Sequence, residues 1–172
     1  MATHAVRRYN LEVFWDDEFK GLGYVHEPFN DPISSHRWLS QGYSGKFTGD
    51  MCDIRSPQPS WNYKFIDIFQ SMGWKDIGTS YYRMDTGTIL PTHGDLYVRY
   101  VDLFDLKGKE NSICRAVVYL EDWQSGHYAE YLGEPYTGWK AGSTIEWNYD
   151  TPHLAANIGL TPRYTLQITG HL

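Results

Sequence analysis

His93 and Asp95 stand two positions apart in LPTHGDLYVRY, residues 90 to 100, and His153 lies in WNYDTPHLAANIG. Together they offer two imidazoles and one carboxylate, the donor set that holds Fe(II) on one octahedral face. Three protein ligands leave three positions for a bidentate co-substrate and O₂; a fourth would block one of them. In an extended segment, side chains at i and i+2 point the same way, so His93 and Asp95 can meet one ion. Gly94 between them lets the backbone bend or approach closely. An H-x-D pair alone reads first as an ordinary polar patch at a strand end.

Arg163 follows His153 by ten residues, in TPRYTLQITG. If that run is a strand, Arg163, Thr165 and Gln167 share one face, and Tyr164, Leu166 and Ile168 form the apolar, sheet-packing face. A guanidinium inside a barrel is costly unless an anion pairs with it. A carboxylate gripped by the Arg fork, with Thr165 assisting, meets that requirement. The competing reading is a surface Arg on a sheet edge.

These residues need strands to position them. From about residue 76, short β-like runs alternate with turn residues: IGTSYYRM, LYVRYVDLF, ICRAVVYLE, HYAEYLG, STIEWNY and RYTLQITG. The breaks carry DTGT, KGKEN, WQSG, GEP, KAG and GLTP. Regularly spaced short strands predict an antiparallel sandwich or barrel, whose mouth can host a metal or ligand. Residues 1–75 are mixed and are expected to pack on a barrel core of 76–172 within a single domain. In SWNYKFIDIFQSMGW, Trp61, Phe65, Ile68, Phe69 and Met72 recur at helical spacing, and Gly73 is a plausible stop. HEPFNDPISSHRWLSQGYSGKFTGD, rich in Pro, Gly, Ser and Asp, is expected to be mostly loop.

Composition narrows the function classes. The 172 residues suit one domain with a substantial core. Aromatic residues make up 16%, with 14 Tyr, which favours half-buried pleated surfaces. A net charge of −6 argues against nucleic-acid binding. No apolar run resembles a secretory signal or approaches the roughly 20 residues of a membrane span. Cys52 and Cys114 form no metal-type pair and read as reduced thiols in a cytoplasmic protein, with a single disulfide as the alternative. Oligomeric state has no signature in the sequence.

HGD followed by CRAVVYLEDWQSGHYAEYLGEPYTGWKAGSTIEWNYDTPHLAANIGLTPRYTLQITG resembles the Fe(II)/2-oxoglutarate-dependent dioxygenases over roughly residues 77 to 170. Within them it is most similar to the aspartyl/asparaginyl β-hydroxylase-like and free-proline hydroxylase branch. The shared elements are H-x-D, an R-x-x-x-x-L strand, a G…W…AG approach to a strand, an H followed by A-x-N, and an Arg ten residues beyond the His. The resemblance implies a mainly β fold, a double-stranded β-helix of jelly-roll or cupin type with flanking helices. It implies Fe(II) on His93, Asp95 and His153, and 2-oxoglutarate on Arg163 with Thr165 as a helper. Arg115 matches an Arg of the family strand after H-x-D and is expected to contact a carboxylate of co-substrate or substrate. Asp95 departs from secretory hydroxylases that carry Gly there, and its presence argues against a halogenase. Val117 stands where the family segment usually has His, so no role is carried over to that position.

Further candidates are weaker. Tyr119 and Tyr128 are possible pocket residues, and Asn157 is a candidate for orienting the loop after His153. Trp139 and Trp147 read as core; His4, His26, His36, His127 and His171 read as surface or loop. Substrate recognition is expected in residues 1–75 and in the loop at 85–92. The resulting expectation is a hydroxylase that uses Fe(II), 2-oxoglutarate and O₂, supported by ascorbate. Its substrate would be an amino acid, a peptidyl residue or another small metabolite. Alternatives on the same barrel are a cupin-like metal-dependent isomerase or hydrolase, and a non-catalytic ligand-binding barrel.

Overall fold

The structure is a computed structural model that describes residues 5–43 and 46–172; His4 lies outside the described residues. The elements in chain order are β1 (Val6–Asn10), β2 (Val25–His26), α1 (Pro32–Ser40), β3 (Asp50–Asp53) and α2 (Asn62–Ser71). There follow β4 (Lys75–Met84), β5 (Ile89–His93), α3 (Val98–Leu103), β6 (Ile113–Tyr119), β7 (His127–Tyr131) and β8 (Glu134–Tyr136). The chain closes with β9 (Ser143–Asn148), β10 (His153–Asn157) and β11 (Arg163–His171). Two antiparallel sheets face each other, one in the order β1-β9-β6-β11-β4-β3-β2 and one in the order β5-β10-β7-β8. This is the expected mainly β, double-stranded β-helix architecture with flanking helices.

The alternation in β11 divides the large sheet into two working faces. Leu166 and Ile168 point outward and pack with Tyr81, Ala116, Val118 and the α2 residues Phe65 and Phe69. α2 therefore lies over the outer face, as its apolar spacing predicts, and Gly73 follows it at φ 92°. The opposite face carries Arg163, Thr165, Gln167 and Thr169 toward the small sheet. There Val117, Tyr119, Ile145 and Trp147 meet Ala129 and Tyr131.

Three expectations are corrected. Residues 96–104 are not a strand; α3 occupies 98–103, because Tyr97, Tyr100, Val101 and Phe104 form one helical stripe that packs with Leu106 and Ile113. Part of the expected loop is α1: Asp31 Oδ1 accepts from the Ile33 and Ser34 amides, Pro32 opens the helix, and Trp38 buries its inner side. Nor is residue 75 a boundary in the sheet, since β1 pairs with β9 and β3 pairs with β4. Both cysteines are free, buried thiols, and no disulfide links them.

The end of β10 and the start of β11 are held together by one turn. Asn157 donates from Nδ2 to the Met84 and Thr161 carbonyls, both at 2.8 Å, and accepts from the Gly159 amide. Gly126, at φ 87°, lies against this turn, and a Cβ there would stand 2.3 Å from Gly159 backbone atoms. Gly126→Ala should therefore cost about 2–4 kcal/mol of stability. A urea midpoint unchanged from wild type would refute this close-contact account.

Candidate metal centre

β5 and β10 bring the two histidines together, with His153 and His93 directly opposite in the antiparallel register. The register slips by one residue just beyond this pair. Pro91 sits at that irregularity on an edge strand, where its missing N–H is tolerated. Asp95 follows β5 in the connection to α3 and turns back toward both rings. His93 Nε2 lies 3.7 Å from Asp95 Oδ1, and His153 Nε2 lies 3.8 Å from Oδ2. Ligand atoms of all three residues fall within 4.8 Å of one another. The structure thus juxtaposes the three sequence candidates.

The tautomers are set by the backbone. His93 Nδ1 is 2.8 Å from the Pro91 carbonyl, and His153 Nδ1 is 2.8 Å from the Thr151 carbonyl. A carbonyl only accepts, so each Nδ1 carries the proton and each Nε2 keeps its lone pair facing Asp95. Burial pushes the His153 pKa down to about 4, against the opposing pull of Asp95, so the ring is neutral at pH 7. Burial alone would raise the Asp95 pKa. Arg115, then His153 and His93, outweigh it and hold the carboxyl well below the usual range. Two imidazoles that turn Nε2 toward one carboxylate suit a divalent transition metal.

Arg115 lines the same cavity as the three candidate ligands and also reaches Asp95. Its Nε lies 3.4 Å from Asp95 Oδ2, and its guanidinium covers the Tyr97 ring. The contact sets a positive charge beside the Asp95 carboxylate. Tyr97 donates to the same Oδ2 at 3.0 Å, so Oδ1 is the less encumbered carboxylate oxygen. The cause is the register: Arg115 pairs with Thr169 and Trp147, at the metal end of the cavity.

A cavity of about 830 Å³ opens over these ligands, with Arg163, Thr165 and Gln167 on its wall. Arg163 is 5% exposed, and its Nε has no hydrogen-bond acceptor. Its Nη1 meets only Met84 Sδ at 3.5 Å, and the Tyr119 and Trp139 rings flank the guanidinium at 5.4 and 5.5 Å. Among the described residues, no carboxylate lies within ion-pair distance of Arg163.

The remaining candidates divide. Tyr119 is fully buried beneath Arg163, with its hydroxyl 2.9 Å from that of Tyr131, and does not form cavity wall. Tyr128 also leaves the pocket. His127, Ala129 and Tyr131 take the inner face of β7, so Tyr128 turns outward and donates to Glu130. Asn157 fastens the turn after β10, as described above. Trp147 is core, yet it also lines the cavity, its ring 4.7 Å from that of His153. His127 is buried rather than at the surface, and donates to the Thr161 carbonyl at 2.9 Å.

Sequence reasoning missed Phe29 and Trp38, whose rings approach His93 at 5.1 and 6.2 Å. It also missed Thr169, which the same alternation that exposes Gln167 would have found. The N-terminal region reaches the cavity through residues 27–30, Thr48 and Met51, whereas the segment 85–92 contributes only Leu90.

No family model matches the sequence, and no curated protein is significantly similar to it. Solved structures are similar in fold. A prolyl-4-hydroxylase of Pseudomonas putida superposes with a TM-score of 0.55 at 15% identity, over 90% of this chain and 95% of that one. SnoK, a non-heme alpha-ketoglutarate-dependent carbocyclase from nogalamycin biosynthesis, gives 0.50 at 11%, over 92% and 84%. A predicted oxalate decarboxylase of Thermotoga maritima gives 0.44 at 13%, over 77% and 86%. The first two likenesses support the barrel fold seen in the two sheets. Among the described residues, no helix is long and apolar enough to cross a membrane.

Proposed function

We propose that this protein is an Fe(II)- and 2-oxoglutarate-dependent oxygenase that hydroxylates an unactivated C–H bond. The observation that carries the reading is one cavity containing both an inward-facing His93–Asp95–His153 set and a buried Arg163 without a counter-ion. The two needs are complementary: His93, Asp95 and His153 would hold a metal able to take a keto acid, and the Arg163 guanidinium would donate to the distal carboxylate. Fe(II), when bound, supplies the activation of O₂ coupled to oxidation of 2-oxoglutarate to succinate and CO₂.

The chain's own residues do the rest. The Pro91 and Thr151 carbonyls fix the two imidazoles, while Tyr97 and Arg115 steady Asp95 through Oδ2. Arg163 and Thr165 orient the diacid, so that its keto-acid end is presented to the metal. Phe29, Leu90 and Trp147 place apolar surface around the ligands and limit water. A metal-dependent isomerase or hydrolase on the same ligands, or a non-catalytic binding barrel, leaves the Arg163 charge unexplained.

Purified protein should bind 2-oxoglutarate anaerobically in an Fe(II)-dependent way. With O₂ and ascorbate it should release succinate, and a substrate screen with mass detection should show the gain of one oxygen. The absence of both anaerobic co-binding and succinate release would overturn the proposal.

A further inference from the structure

The charge on the cavity wall runs against that of the chain. The whole sequence has 21 acidic and 15 basic residues, whereas the wall carries three arginines and only two carboxylates, Glu27 and Asp95. Both carboxylates are committed. Glu27 is ion-paired with Arg55, which also holds Asp53 at 2.8 Å. Asp95 faces Arg115 and the two histidines. No carboxylate on the wall is left to receive an ammonium group, and burying an unpaired ammonium costs several kcal/mol.

The donors are in the opposite position. Arg163 serves the co-substrate, and Arg115 serves Asp95. Arg99, on α3, is exposed and lines the cavity, with no carboxylate within 4.0 Å among the described residues; Asp53, whose charge it reaches at longer range, is already held by Arg55. Gln167 Oε1 accepts from Arg115 Nη1 at 3.4 Å, which leaves its amide N–H groups to face an acceptor in the cavity. The wall therefore presents a cation and amide donors, matching a carboxylate and a carbonyl. The volume agrees: about 830 Å³ lies toward the upper end of the ~300–1,000 Å³ common for ligand sites. A five-carbon diacid together with a free amino acid would leave much of that space to water.

We propose that the substrate is an acylated amino acid with a free carboxylate, held at that carboxylate by Arg99, and not a free amino acid. This rests on the oxygenase reading above. The same chemistry occurs in a small N-acylamino acid and in the C-terminal residue of a peptide, so the test includes both.

The experiment measures anaerobic calorimetric binding to the Fe(II)- and 2-oxoglutarate-loaded protein, alongside substrate-stimulated succinate release. The probes are N-acetylamino acids, short peptides with free C-termini, the same peptides amidated, and free amino acids. Free-acid probes should bind at least tenfold more tightly than their amides and than free amino acids. Arg99→Gln should abolish the preference for acid over amide, and Arg99→Lys should retain part of it. The arm that responds more strongly identifies the small-molecule or peptide source. Amides equal to acids, or free amino acids favoured, in protein that releases succinate would overturn the substrate class and leave the oxygenase reading intact. Arg99-dependent acid binding in protein that never turns over 2-oxoglutarate would do the reverse.

Discussion

Asp95→Asn is expected to lower Fe(II) affinity by more than about 100-fold, since partners one layer beyond a ligand are already worth about 10–100-fold. The same change should cost about 1–3 kcal/mol of stability, because Arg115 is then left largely buried without a counter-charge. Breaking a fully buried pair costs ~3–5 kcal/mol, and this pair is nearly a fifth exposed. The two effects separate in a double variant. Asp95→Asn with Arg115→Gln should recover most of the lost stability, since neither side chain is then charged, while Fe(II) binding stays lost. Arg115→Gln alone should weaken Fe(II) less than Asp95→Asn does, because Tyr97 still holds Oδ2. Anaerobic Fe(II) titration and urea unfolding measure the two quantities. An Asp95→Asn protein that binds Fe(II) like wild type would reduce the carboxylate to half of a structural ion pair.

That cycle tests a feature no spacing rule disclosed. H-x-D, His153 and Arg163 are legible because each signal is local: two ligand types two residues apart, a third, imidazole-bearing residue ahead of a strand, and an Arg in alternation with Leu166 and Ile168. The position of Arg115 depends on register, which matches it to Thr169 and Trp147 and so places it beside Asp95. Register is set by the whole sheet, and a single strand does not announce it. Other misses were signals outweighed by stronger ones. Asp31-Pro32 is a helix start, but the Gly, Ser and Pro around it read as loop. Tyr97, Tyr100, Val101 and Phe104 keep a helical period, but their β-favouring side chains suggested a strand. β5 and β10 went unread because they are short, and β5 contains Pro91.

The N-terminal third shows why fold and site were unequally legible. Phe29 and Trp38 lie far from His93 in sequence and carry no ligand pattern, yet both rings pack against it. Their contribution is shape and exclusion of water, which any large apolar side chain supplies, so residue type alone does not single them out. Ligands and ion-pairing groups are chemically distinctive; the walls that make their site dry are not.

Arg163→Met separates binding from stability in the opposite sense to Asp95→Asn. The guanidinium is buried, its Nε unpaired, and the flanking Tyr119 and Trp139 rings offset only part of its desolvation, about 0.5–2 kcal/mol each. A methionine of similar length needs no counter-ion there, so the ligand-free variant should be as stable as wild type or more stable by about 1–3 kcal/mol. Its affinity for 2-oxoglutarate should nonetheless fall by roughly 30- to 5,000-fold, the equivalent of ~2–5 kcal/mol for removing one partner of a buried charge pair. Arg163→Lys should recover only part of that loss, because an ammonium lacks the planar fork that grips both carboxylate oxygens. Thermal unfolding with and without 2-oxoglutarate reads both effects at once: the diacid should raise the Tm of the Fe(II)-loaded wild type and barely move that of Arg163→Met. A variant destabilised without ligand, yet still shifted by 2-oxoglutarate as wild type is, would make Arg163 a packing residue. The carboxylate would then have to find its partner elsewhere on the cavity wall.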